Sequence, residues 1–158
     1  MTLQEREARA CAIIDSMTEE LRDISLYLHD NPELGLNEHK AVKVINQFLE
    51  THNFTSQVGL TDLPELQTAL RGDYNGTAQH KIAFLGEYDA LPELGHGCGH
   101  NLIAMMSLGA AIAFSQSAPE AWGTTFFGCP AEETIGGQGK QEGEVGVYDK
   151  ECELYSEG

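Results

Sequence analysis

The chain has 158 residues, 41% of them hydrophobic and 22% charged, a globular composition with enough length to bury one core. Its formal net charge of −16 argues against nucleic acid and against anionic membrane surfaces, since both are bound through Lys and Arg. No apolar run approaches the roughly 18 residues that cross a bilayer, and the N-terminus lacks the apolar core of a signal peptide, so a cytoplasmic location is expected.

Residues 3 to 29 are predicted as one long helix, with Ile14, Met17, Leu21, Ile24 and Leu28 at spacings of three and four on a single stripe. Asn31-Pro32 ends it, because the residue before Pro is pushed out of the helical region. A second amphipathic helix is predicted over 38–52. Ala41, Val42, Ile45, Phe48 and Leu49 line its face, with Asn37 as N-cap and Asn53 just past its C-terminus. Phe54–Val58 and Leu66–Arg71 read as strands, and Gly72-Asp73-Tyr74-Asn75-Gly76 as a turn. Lys81–Gly86 reads as a buried strand leading into Glu87-Tyr88-Asp89-Ala90-Leu91-Pro92. A Gly-rich loop then carries His96, Cys98 and His100 at alternate positions. A helix is predicted over about 101–116, with Leu102, Met105, Met106, Gly109, Ile112 and Ala113 on one face, followed by a buried strand over Gly123–Gly128. This alternation predicts an α/β domain with helices packed on a mixed sheet. Ligands in such folds gather at the carboxyl ends of strands, where Glu87, Asp89, Glu132 and Glu133 fall.

The chemistry concentrates in two segments. Gly95, Gly97 and Gly99 allow sharp turns, so that Cys98 and His100 can converge on one point. Thiolate, imidazole and carboxylate together hold zinc or manganese. Glu132 and Glu133 are consecutive, and in extended chain they point to opposite faces. One carboxylate can then bind metal while the other moves a proton, as hydrolysis by metal-activated water requires. His29, His39, His52 and His80 read as ordinary surface or hydrogen-bonded histidines. Cys11 and Cys129 read as small buried hydrophobes, and Cys152 carries no signal. A thiol hydrolase with Cys98 as nucleophile would leave the Glu-Glu pair without a role. A purely structural zinc loop would need four closed ligands.

Asp89-Ala90-Leu91-Pro92, then His96-x-Cys98-Gly99-His100-Asn101, then Pro130-Ala131-Glu132-Glu133 with Gly136-Gly137 and Lys140, resemble the aminoacylase/carboxypeptidase-G type metallopeptidases. The nearest branch is the amidohydrolases: auxin-conjugate amidohydrolases, aminobenzoyl-glutamate hydrolase and β-alanyl-dipeptidase-like enzymes. Leu28-His29-Asp30-Asn31-Pro32-Glu33-Leu34-Gly35 matches that branch's N-terminal pattern, and the likeness runs from about residue 19 to 140.

The resemblance implies a zinc-exopeptidase-like catalytic domain. Cys98, His100 and Glu133 match metal ligands, Glu132 matches the general base, and Asp89 matches the acidic residue that orients a ligand. Glu87 stands where the wider family often has a ligand His, and His96 falls in a position beside the ligands. The implied cofactor is a divalent metal, zinc or manganese, two per complete site. The implied substrates are small amides or dipeptides, and the implied assembly of full-length relatives is a homodimer. Family members are more than twice this length and supply further His ligands later in the chain. Residues 1–140 are therefore expected to form the first half of the catalytic domain, and 141–158 an atypical acidic tail. A truncated, non-catalytic product that acts by binding or pairing is the alternative expectation.

Overall fold

The computed structural model describes residues 2–59, 66–75, 78–117 and 122–129, with Cys129 described by its backbone alone. Glu132, Glu133 and the acidic stretch 141–158 lie outside the described residues. The elements are α1 (Leu3–Ser16), α2 (Thr18–Asp30), α3 (His39–Thr51), β1 (Thr55–Val58), β2 (Leu70–Tyr74), β3 (Lys81–Glu87), α4 (His100–Ser117) and β4 (Gly123–Cys129).

The long N-terminal helix divides in two at Met17. Ser16 Oγ donates to the Ile13 carbonyl at 2.7 Å, and Thr18 Oγ1 to the Ile14 carbonyl at 3.1 Å. These hydroxyls take up carbonyls that helical N–H groups would otherwise use. Met17 itself turns inward and is buried. α1 buries no residue fully and touches the core through Ala10 and Ile13. Cys11 is exposed, contrary to its reading as a buried hydrophobe, because it lies on the outer side of this weakly anchored helix.

α3 buries the predicted face. Asn53 ends it in the left-handed region at φ 67°, with the Phe54 N–H returned to the Leu49 carbonyl at 3.1 Å. Its N-terminus is not capped by Asn37. Instead Glu33 Oε2 accepts from the Lys40 and Ala41 N–H groups at 2.8 and 3.0 Å. A carboxylate there satisfies two orphan donors and faces the positive end of the helix dipole.

The sheet order is β1-β2-β4-β3, antiparallel except for the parallel β3–β4 pair. Residues 72–74 belong to β2 rather than to a turn, with Gly72 facing Ser56 and Phe126, Asp73 facing Thr55 and Thr125, and Tyr74 facing Thr124. Pairing on both sides overrides the local turn composition. A side-chain carbon on Gly72 would stand 2.9 Å from Leu49, so this glycine serves close packing of α3 on the sheet. β3 is half-buried rather than buried because it lies at the sheet edge among the described residues.

α4 connects β3 to β4 and packs on both, with Ser107 donating to the Leu85 carbonyl. Its buried side runs through Ala104, Met105, Leu108, Ala111 and Ile112. Leu102 and Met106, predicted on that side, are 58% and 73% exposed. They border an apolar groove of about 670 Å³ between α1–α2 and α4, which none of the candidate site residues lines. Among the described residues no helix is long and apolar enough to cross a membrane.

Candidate functional site

β3 and β4 run parallel and stay in register to the pair Glu87–Cys129, so both end at one edge of the sheet. Beyond Glu87 the chain leaves the sheet through Tyr88 and Asp89, each 0% exposed. The next residues are pinned from two sides. Ala90 N–H donates to the Glu33 carbonyl at 2.7 Å, and Leu91 and Gly95 exchange hydrogen bonds at 2.8 and 3.1 Å. The 33–38 loop, where the N-terminal pattern ends, thus holds the segment bearing Asp89.

Gly99 adopts φ 84°, and its carbonyl accepts from Leu102 and Ile103 at 2.9 and 3.0 Å. A side chain there would meet nothing within 4 Å, so backbone conformation alone demands glycine. This turn makes His100 the first residue of α4. Asn101 anchors the helix start, donating to the Ser25 hydroxyl at 3.1 Å and to the Ser25 carbonyl at 3.3 Å.

His100 is buried with its two nitrogens on opposite partners. Nδ1 lies 2.9 Å from the Asp89 carbonyl oxygen and 3.0 Å from Asp89 Oδ1. A carbonyl only accepts, so Nδ1 carries the proton and Nε2 is directed outward. Nε2 lies 3.4 Å from Glu87 Oε2. Two ligands on one tetrahedral zinc, with bonds near 2.1 Å, are also about 3.4 Å apart. The Nε2–Glu87 spacing therefore suits a shared cation as well as a proton.

His96 is 9% exposed, and neither ring nitrogen has a hydrogen-bond partner among the described residues. Burial pushes its pKa down, helped by the nearby His100 and His29 rings, with weaker opposing pulls from Asp89 and the Leu28 carbonyl. An imidazole so placed has a ring nitrogen available to a water or an ion. Cys98, between the two histidines, is an exposed free thiol. Among the described residues no three His, Cys, Asp or Glu side chains stand close enough to hold a metal ion. The loop therefore brings His100 to Asp89 and Glu87, and does not gather His96, Cys98 and His100 around one point. The donors present are a directed imidazole, two carboxylates, an exposed thiol and an orphaned buried imidazole. They fit a divalent metal in chemistry and need a further ligand to close the set.

The other histidines are ordinary: His29, His39 and His80 are exposed, and His52 packs edge-on against Phe48 and meets Gln116. Sequence reasoning missed Glu38, which is 0% exposed and accepts from the Thr68 hydroxyl. A lone Glu before a helix carries no sequence signal that it is buried.

No protein-family model matches the chain. Xaa-Arg dipeptidase of Mus musculus is 36% identical over 141 residues, covering 82% of this chain and 33% of the relative. A p-aminobenzoyl-glutamate hydrolase polypeptide of Escherichia coli (strain K12) is 33% identical over 147 residues, covering 80% and 29%. The chain thus spans about a third of the length of the curated relatives it matches. Among solved structures, a Bacillus subtilis protein described as a dinuclear metal-binding peptidase from the M20 family superposes with a TM-score of 0.71 at 25% identity, covering 87% of this chain and 42% of that one. An aminobenzoyl-glutamate utilization protein from Klebsiella pneumoniae shares the fold at a TM-score of 0.70 and 16% identity, covering 90% and 44%.

Proposed function

The chain belongs to the M20 family, the aminoacylase/carboxypeptidase-G type metallopeptidases, in its amidohydrolase branch, and on that premise we propose that it takes part in metal-dependent hydrolysis of the amide bond in small dipeptides or N-acyl amino acids. The observation that carries the reading is His100, held at Nδ1 by Asp89 and aimed by Nε2 at Glu87. In this reading Cys98, His100 and Glu133 hold zinc or manganese, and Glu87 stands close enough to share an ion with His100. Two ions per complete site agree with the dinuclear relative.

A bound divalent metal supplies a Lewis acid that polarises the scissile carbonyl and acidifies water. The chain's own residues do the rest. Asp89 keeps the proton on His100 Nδ1, so that Nε2 stays a donor of its lone pair. Glu132 takes a proton from the attacking water and returns it to the departing amide nitrogen. Cys129 is the register partner of Glu87, so the described end of β4 lies beside the end of β3 that leads to Asp89. An exposed thiol at Cys98 suits a reducing, cytoplasmic setting.

The test is a hydrolysis panel of Xaa-Arg dipeptides, p-aminobenzoyl-glutamate and N-acyl amino acids, run on the protein in its longest native form with zinc or manganese. Turnover that a chelator abolishes and metal restores is expected. Turnover that survives the chelator but is lost on thiol alkylation would replace this reading with a thiol hydrolase.

A further inference from the structure

Glu38, just before α3, is 0% exposed, and no cation pairs with it among the described residues. Its Oε1 accepts from the Leu36 N–H at 3.0 Å, and its Oε2 meets the Thr68 hydroxyl. Thr68 is also 0% exposed, and its carbonyl accepts from the Tyr88 hydroxyl. These contacts join three distant segments: the 36–38 loop, the turn before β2, and the residue after β3. Tyr88 adjoins Asp89, whose carbonyl and carboxylate oxygens both face His100 Nδ1.

We propose that Glu38 is a positioning residue: through Thr68 and Tyr88 it fixes the Tyr88–Asp89 backbone, and so sets the orientation of His100. Burial is large enough here to push the Glu38 carboxyl up, reinforced by the nearby Asp89 charge and opposed by the Thr68 hydroxyl and backbone N–H groups. Glutamine can take its place, with the amide oxygen on the Leu36 N–H and the amide nitrogen donating to Thr68 Oγ1. Alanine cannot.

The inference deepens the hydrolase reading and rests on it for the importance of His100, yet it is testable without turnover. The ring nitrogens of His100 are followed by long-range ¹H–¹⁵N NMR in the full chain, with circular dichroism as the fold check. Glu38→Ala and Tyr88→Phe are expected to shift or broaden the His100 Nδ1–H signal while Glu38→Gln keeps the wild-type spectrum. Cobalt(II) affinity, read from thiolate absorption, is expected to fall about tenfold in Glu38→Ala, as for other residues that orient metal ligands, and to recover in Glu38→Gln. Wild-type His100 signals in a folded Glu38→Ala protein would overturn the proposal. If Glu38→Ala does not fold, unchanged His100 signals in Tyr88→Phe would do so. A Glu38→Gln protein that behaves like Glu38→Ala would overturn the claim that the two hydrogen bonds of residue 38 carry its positioning role. A wild type that binds no cobalt, but whose His100 signals still respond to Glu38→Ala, would sink the hydrolase reading and leave this inference standing.

Discussion

Replacing His100 with alanine probes the geometry on which the site depends. The two side chains are 4% and 0% exposed, so solvent screens the His100–Asp89 contact little. Removing the imidazole leaves a buried carboxylate without this donor, which costs about 1–3 kcal/mol, more for a charged group. The acceptor here is an ion, which places the cost at the upper end of that range, about 3 kcal/mol. In a chain of this size each kcal/mol moves the melting temperature by about 2–4 °C, so a loss of about 6–12 °C is expected. Asp89→Asn keeps the backbone carbonyl and an amide oxygen facing Nδ1, and removes only the charge. Its expected cost is about 1 kcal/mol. The assay is urea unfolding of the full chain at pH 7.5, with exposed His29→Ala as a control that should stay within about 0.5 kcal/mol of wild type. A His100→Ala protein that also stays within about 0.5 kcal/mol would show that the ring is not held as described.

Gly99→Ala forces a side chain into φ 84° and should cost about 1–2 kcal/mol, visible as a lower midpoint in the same unfolding assay; an unchanged midpoint would mean the turn relaxes freely. Cys98 is exposed, so in a background with Cys11, Cys129 and Cys152 replaced by serine it should react promptly with a disulfide reagent such as DTNB in the native state, and zinc should slow that reaction. No protection at saturating zinc would remove Cys98 from the ligand set. The Glu38 carboxyl lies above its ordinary 4.5, so between that value and its folded pKa the native chain holds the extra proton, and stability falls as pH rises. Glu38→Gln lacks this titration. Its melting temperature relative to wild type should therefore climb as pH rises from about 4.5 and be flat below that; a difference constant from about pH 4 to 8 would show that the carboxyl titrates normally.

Elements with one buried face were legible in the sequence. α3 follows its three-and-four spacing because Ala41, Val42, Ile45, Phe48 and Leu49 are all buried. β4 pairs on both sides, with β2 and β3, and is buried over Gly123–Gly128 as its sequence reading expected. The errors came where distant contacts decide. The break at Met17 depends on two hydroxyls taking carbonyls, which a periodicity count does not register. Gly72, Asp73 and Tyr74 look like a turn, yet pairing with β4, and for Gly72 and Asp73 with β1 as well, makes them a strand. α4 is apolar around most of its circumference, so the sequence could not say that Leu102 and Met106 face out. In the site, motif order singled out Asp89, Cys98 and His100 but not their geometry. That Asp89 and Glu87 take opposite nitrogens of His100 follows from the register of β3 and the turn at Gly99. Glu38 was illegible because its burial depends on Thr68, thirty residues away.

The most direct test of the proposed chemistry is Glu132→Gln in the longest native form of the protein, assayed for kcat on its best amide substrate, with metal content measured on the same sample. A loss in kcat of about 100-fold or more, with metal content unchanged, is the predicted result. A kcat equal to wild type would contradict the assignment of Glu132 as the proton carrier, and with it the mechanism.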